Sequence, residues 1–188
     1  MTLNARQQAT VDRLLDAGAD ELRSVGVDGL TVRTVALRAG VSSATAYTYF
    51  TSKDHLFAAL FWRHLVQHPS GAETKAGGTA NPDPVRRLSA LVHELGAMLA
   101  DSPEMAAAAT RALLGTDPAV ERLRLKVGDE YLARFRVALG PTSDAAVLDA
   151  LTLTFLGALL QAGMGLFSYT EMAHRLDGAM AVIMRGNG

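Results

Sequence analysis

Apolar positions along this chain recur at intervals of three and four residues, the period of a helix packed on one face. Val11, Leu14, Leu15, Gly18, Leu22 and Val25 share such a face, and Gly26 suits the cap that follows. A capping side chain ahead of proline marks helix starts at Asp83-Pro84, Ser102-Pro103 and Asp117-Pro118. Thr31, Ser42, Ser52 and Thr170 can cap without proline. Together these marks predict nine helices near 5–24, 32–38, 43–49, 53–67, 84–100, 103–114, 118–139, 143–167 and 170–185. No run alternates as a half-buried strand would, so the predicted class is all-α. Residues Pro69 to Pro84 carry no apolar period and read as a mobile surface loop.

The second and third helices are short and joined by a tight turn. Val32, Val35, Ala36 and Ala39 share one face, and Ala36 is small enough for two helices to cross closely. Gly40 sits at the turn, where a positive φ is cheap only for glycine. Val41 is expected to plug the core and Ser42 to cap the third helix, which buries Ala46 and Phe50. Its other face shows Ser43, Ala44, Thr45, Tyr47, Thr48 and Tyr49. Hydroxyls and helix-end N–H groups donate to phosphates, and small side chains let a helix sink into the major groove. Ser43, Ala44 and Thr48 are placed for base edges or thymine methyls, and Arg33 for a guanine edge. Lys53, beside Ser52, can hold a phosphate. The residues leave open whether Tyr47 packs or binds.

Charge sharpens this only slightly. Residues 1–53 hold six basic and five acidic side chains, and the remainder twelve and fourteen. The chain is no polycation, so a nucleic-acid site must be local. Apolar residues make up 49%, enough for a real core. The absence of cysteine excludes disulfides and thiolate chemistry. The N-terminal residues lack the apolar stretch of a signal peptide, and a cytoplasmic location is expected. Ala150 to Phe167 is uncharged and almost long enough to span a bilayer, but Thr152, Thr154, Gln161 and three glycines favour a helix buried on two sides, with no membrane partner. His64 and His68 have the i, i+4 spacing of paired metal ligands, with His93 or Glu94 as a third. Solvated or loop-packed histidines beside Pro69 are the preferred explanation of the pair, and neither a metal nor another cofactor is expected. No spacing singles out a catalytic set, so no enzyme activity is expected.

Leu30 to Phe57 resembles the tetracycline-repressor-like (TetR) family of transcriptional regulators. The resemblance rests on Thr31, Val35-Ala36, Ala39-Gly40-Val41-Ser42, Thr45-Ala46-Tyr47-Thr48-Tyr49-Phe50 and Ser52-Lys53-Asp54-His55-Leu56. It spans the first third of the chain without a gap. Ala46 stands where the family usually has a larger aliphatic, Asp54 replaces glutamate, and Gly18 replaces a commoner alanine within the first helix. The resemblance implies a phosphate set of Thr31, Thr45, Tyr47, Tyr49 and Lys53, and a base-proximal set of Arg33, Ser43, Ala44 and Thr48.

It also implies a DNA-binding head over residues 1–52 on a ligand-binding and dimerisation body over 53–188. One short recognition helix makes few contacts, so a homodimer on an operator with two half-sites is expected. Leu148, Leu151, Phe155 and Leu159 on the eighth helix, with Met172, Leu176, Met180 and Ile183 on the ninth, are the expected interface. Trp62, Met98, Met105, Thr110, Tyr131, Phe135, Phe155, Gln161 and Met164 are the expected lining of an effector pocket, although core packing explains each apolar one as well. The implied function is a repressor released from its operator by a small, mainly apolar molecule. An activator, a corepressor-dependent regulator, or a helical small-molecule-binding protein that no longer binds DNA are the alternatives.

Overall fold

A computed structural model describes residues 4–68, 83–141 and 144–185. The described residues form nine helices: α1 (Ala5–Gly29), α2 (Val32–Arg38), α3 (Ser43–Tyr49), α4 (Lys53–Gln67), α5 (Pro84–Asp101), α6 (Pro103–Leu114), α7 (Glu121–Leu139), α8 (Ala145–Gly163) and α9 (Tyr169–Arg185). The chain is all-α, as its periodicity predicts. The predicted loop at Pro69 to Pro84 lies outside the described residues apart from its last two positions.

The capping chemistry accounts for most boundaries. Asn4 and Gln7 cap α1 reciprocally, each side chain bonding the other's backbone N–H at 2.9 Å. Thr31 and Thr34 do the same for α2. The Ser42, Ser52, Asp83 and Asp144 side chains accept first-turn N–H groups of α3, α4, α5 and α8. Five expectations need correction. Ser102 makes no side-chain cap, and proline alone marks the start of α6. The predicted seventh helix opens as a turn, because Asp117 uses its carboxylate on the Ala119 N–H, and α7 begins only at Glu121. α8 stops at Gly163, just before Gly165 turns to φ +78°. Ser168, not Thr170, caps α9 by accepting the Glu171 N–H. In α1, Gly26 breaks the helix at φ +71° and one further turn carries it to Gly29.

Two apolar cores result. The head core joins Leu14, Leu30, Val35, Ala36, Ala46, Phe50, Leu56, Phe57 and Leu60. Ala46 is fully covered despite its small size, and Val41 packs partly buried at the edge. Gly18 lets α4 lie close to α1, since a Cβ there would stand 3.3 Å from the Leu60 methyls. The body core joins Phe61, Leu65, Leu95, Tyr131, Phe135, Leu151, Phe155 and Met172. Two helices serve both. α4 gives its first half to the head and its second to the body. α6 gives Met105, Ala108 and Ala112 to the head and Ala106 and Ala109 to the body.

Side chains of the body hold both ends of α4. The Ser52 hydroxyl donates to the Asp117 carboxylate while accepting the His55 N–H. At the other end Arg134, 3% exposed, donates to the carbonyls of Leu65 at 2.8 Å and His68 at 2.9 Å. The Leu65 carbonyl also accepts the His68 N–H at 3.3 Å, and the guanidinium completes this C-terminal cap. Glu130 accepts from its Nε at 2.7 Å and keeps the charge paired.

Gly40, at φ +66°, sets the α2–α3 turn with open space where its side chain would be. Gly40→Ala should therefore act through the backbone alone. The expected loss is about 1–2 kcal/mol, the cost of holding alanine left-handed, measured by chemical denaturation.

Candidate nucleic-acid interface

α2 and α3 are too short to be stable alone and gain their order from the head core beneath them. Val32, Val35, Ala36, Ala46 and Phe50 point inward, which turns the remaining positions outward. A half-buried ion pair fixes the angle of α2. Arg38 Nε donates to Glu21 at 2.6 Å, and Glu21 is only 7% exposed. Arg63 ties α4 to α1 through Asp16 at 2.7 Å.

The outward face carries the predicted DNA residues. Thr31, Arg33, Ser42, Ala44, Tyr47 and Thr48 are exposed, and Ser43, Thr45, Tyr49 and Lys53 half-buried. Several hydroxyls already have internal work. Thr31 and Ser42 accept cap N–H groups at 3.1 Å, the Ser42 and Thr45 hydroxyls share a hydrogen bond at 2.8 Å, and Thr48 donates to the Ala44 carbonyl at 3.0 Å. Thr48 therefore offers a methyl and lone pairs rather than a donor. Tyr47 stands 47% exposed with no partner among the described residues, whereas Tyr49 packs against the head core. Arg33 is likewise without a partner among them. Lys53 lies 3.4 Å from the Asp28 carbonyl and over the Phe57 ring, so its ammonium is held at the edge of this face. α3 itself carries no charge.

Behind this face His55 stacks edge-on to Phe50 at 5.6 Å. Burial pushes its pKa down, against the pull of the Asp117 carboxylate. Asp117 is held low mainly by the hydrogen bonds from Ser52 and the Ala119 N–H. His64, on the same helix, is also pushed down by burial although the Met98 carbonyl, 3.1 Å from its Nε2, favours the charged form.

The body separates the other predicted residues. Tyr131, Phe135 and Phe155 meet edge to face at 4.9 and 5.3 Å, all at most 1% exposed. Met98 joins that core, Trp62 and Thr110 lie at its margin, and Gln161 on α8 and Met164 just past its end face outward. Met105 belongs to the head core. The nine residues thus do not line one chamber. A groove of about 820 Å³ opens elsewhere, between α1, α4 and the start of α6, and its charged lining (Asp16, Asp20, Arg23, Arg63, Glu104) is wrong for an apolar molecule. Tyr169 was absent from the predicted pocket. Among the described residues the buried Tyr131 hydroxyl meets no hydrogen-bond partner, and the buried Tyr169 hydroxyl has only the Thr110 side chain beside it; burial raises both phenol pKa values, so each stays protonated.

The expected dimer face also needs correction. Leu151, Phe155, Met172, Leu176 and Met180 are at most 1% exposed, Leu148 and Leu159 each 9%, and Ile183 packs against the same core. They hold the monomer together. α8 is buried on one side only, and its open side presents Leu153, Leu156 and Leu160, with Met164 just past its end and Val182 on α9 also exposed. A periodic pattern cannot separate these two sides on a helix that is apolar all round. α8 is also long and apolar enough to cross a membrane, by length and composition alone. As for the paired histidines, His68 Nδ1 lies 2.8 Å from the His64 carbonyl, and His93 faces α9 rather than joining them.

Residues 14–60 match the family described as bacterial regulatory proteins, tetR family. The chain is 44% identical over 185 residues to the uncharacterized HTH-type transcriptional regulator Rv0767c of Mycobacterium tuberculosis, covering 97% of this chain and 84% of that one. It is 30% identical over 180 residues to the HTH-type transcriptional repressor KstR of the same organism, covering 92% and 79%. The fold matches a TetR transcriptional regulator from Rhodococcus sp. RHA1 with a TM-score of 0.77 at 19% identity, over 98% of this chain and 100% of that one.

Because their folded pKa values sit below the ordinary imidazole value of about 6.5, His55 and His64 favour the neutral form in the fold. Their contribution is present above that value and is lost as pH falls through the lower, folded ones. Thermal midpoints should fall from pH 7 to pH 5, and His55→Gln with His64→Gln should flatten that slope.

Proposed function

Since the chain belongs to the TetR family of bacterial transcriptional regulators, we propose that it is a ligand-responsive repressor acting as a homodimer on an operator with two half-sites. The observation that carries the reading is the hydroxyl-rich outer face of α3, flanked by Arg33 and Lys53, on a head that shares α4 with the body. Ser43, Ala44, Thr48 and Arg33 read bases, and Thr31, Thr45, Tyr47, Tyr49 and Lys53 hold phosphates, with Ser42 fixing the helix start. Two heads must reach successive major grooves about 34–36 Å apart. Repression agrees with KstR, a relative named as a repressor.

The effector is a small, mainly apolar molecule with a polar group. It enters the body core beside Tyr131 and Tyr169, whose buried hydroxyls would donate to it. A buried hydroxyl left unpaired, as that of Tyr131 is among the described residues, costs about 1–3 kcal/mol, so an acceptor there is favoured. Displacing α7 moves Arg134, hence the C-terminal end of α4 and the head. The effector must bind the off-DNA state more tightly, or it shifts nothing.

Two experiments test this. In a gel shift with DNA from upstream of the chain's own gene, Tyr47→Ala with Lys53→Ala should weaken binding at least tenfold. Lys53→Ala alone should lower the slope of log affinity against log salt by about 2 per dimer, one phosphate contact per subunit. Binding unchanged by the double substitution rejects the assigned face. Leu156→Glu with Leu160→Glu should give a monomer by light scattering and weaken operator binding. A dimeric mass in that variant rejects the α8 interface.

A further inference from the structure

His93 on α5 and His174 and Asp177 on α9 form a cluster that the DNA-binding reading does not use. One ligating atom of each lies within 4.8 Å of the others. His93 Nε2 and Asp177 Oδ2 are 2.7 Å apart, and the His93 and His174 rings meet at 5.0 Å between centroids. Ser89, one turn before His93, donates to the second oxygen of Asp177 at 2.7 Å. His174 and Asp177 stand at i and i+3, so α9 presents both on one side.

The frame that carries the cluster is rigid. α5 and α9 pack so closely at Gly96 that a Cβ there would meet Ala173 Cβ and the Tyr169 carbonyl at 3.0 Å. Gly96 is one turn from His93, and Ala173 adjoins His174. Leu91, Val92, Leu95, Met172, Leu176 and Met180 bury the seam beneath them. The three ligands are therefore brought together by backbone packing, and His174 remains exposed to an entering ion.

We propose that His93, His174 and Asp177 form a binding site for a divalent transition-metal ion of the zinc class. Two imidazoles and one carboxylate are the donors such ions prefer, whereas calcium and magnesium take oxygen. With bonds of about 2.0–2.1 Å, tetrahedral ligands stand about 3.3 Å apart. The His93–Asp177 contact has to open by about half an ångström, within reach of side-chain rotation. Ser89 supplies the outer hydrogen bond that orients the carboxylate. Water completes the fourth position, and the bound ion staples α9 to α5. No step of this depends on whether the chain binds DNA.

The test is titration of the full, tag-free chain with zinc chloride and with cobalt chloride at about pH 7.5, where ligands compete least with protons. Calorimetry should give one ion per chain, and cobalt should develop the visible bands of a four-coordinate site. Zinc should also raise the thermal midpoint, because it binds the folded state. His174→Ala and Asp177→Asn should each weaken binding at least tenfold and abolish the thermal shift. Ser89→Ala should weaken it about tenfold, and His68→Ala should leave it unchanged. His174 is exposed, so its variant keeps the fold, verified by an unaltered midpoint without metal. The proposal is overturned by wild-type chain that takes up no ion, by full affinity in His174→Ala, or by loss of binding in His68→Ala.

Discussion

α4 has to satisfy two cores with one fifteen-residue helix. Leu56, Phe57 and Leu60 close the head, and Phe61 and Leu65, within two turns, belong to the body. A rigid helix cannot rotate one half without the other, so the head's orientation is a property of the body's packing. The polar contacts follow the same logic. Ser52 and Asp117 fix the helix at its start, and Arg134 fixes its end by donating to the Leu65 and His68 carbonyls. α6 shares this position, with Met105, Ala108 and Ala112 in the head core and Ala106 and Ala109 in the body core, so two helices tie the head to the body.

The fold was largely legible because helices declare themselves locally. Capping side chains, proline at first turns and a steady period placed nine elements within a few residues. At two boundaries that moved, side-chain hydrogen bonds decided the outcome. Asp117 spent its oxygens on Ser52 and on a turn, and Ser168 took the cap expected of Thr170. The head was more legible than the body because its outward positions are defined by what the short helices must bury. The body offered no such rule. α8 is apolar on every side, so the residues chosen for pairing proved to be those already committed to the monomer core. The signal that distinguishes them is tertiary, namely which side meets Tyr131 and Phe135.

Contacts between distant segments were the least legible. Arg134 and Glu21 are charged residues on helix faces, ordinary in sequence, and each turns out buried against a partner. His93 or Glu94 was the expected third member for His64 and His68, but His93 turns to Asp177 on α9 instead. The i, i+3 pair at His174 and Asp177 carried the better signal, and only the close packing at Gly96 says which helix it meets.

The open apolar side of α8 has a consequence for how such a regulator would respond to its own supply. A protomer that leaves Leu153, Leu156 and Leu160 in water has a reason to find a second copy. If only pairs occupy the operator, then below the pairing constant occupancy rises with the square of protomer concentration. Halving the rate of synthesis would cut occupancy about fourfold in that regime, which makes cellular abundance a second input beside any effector.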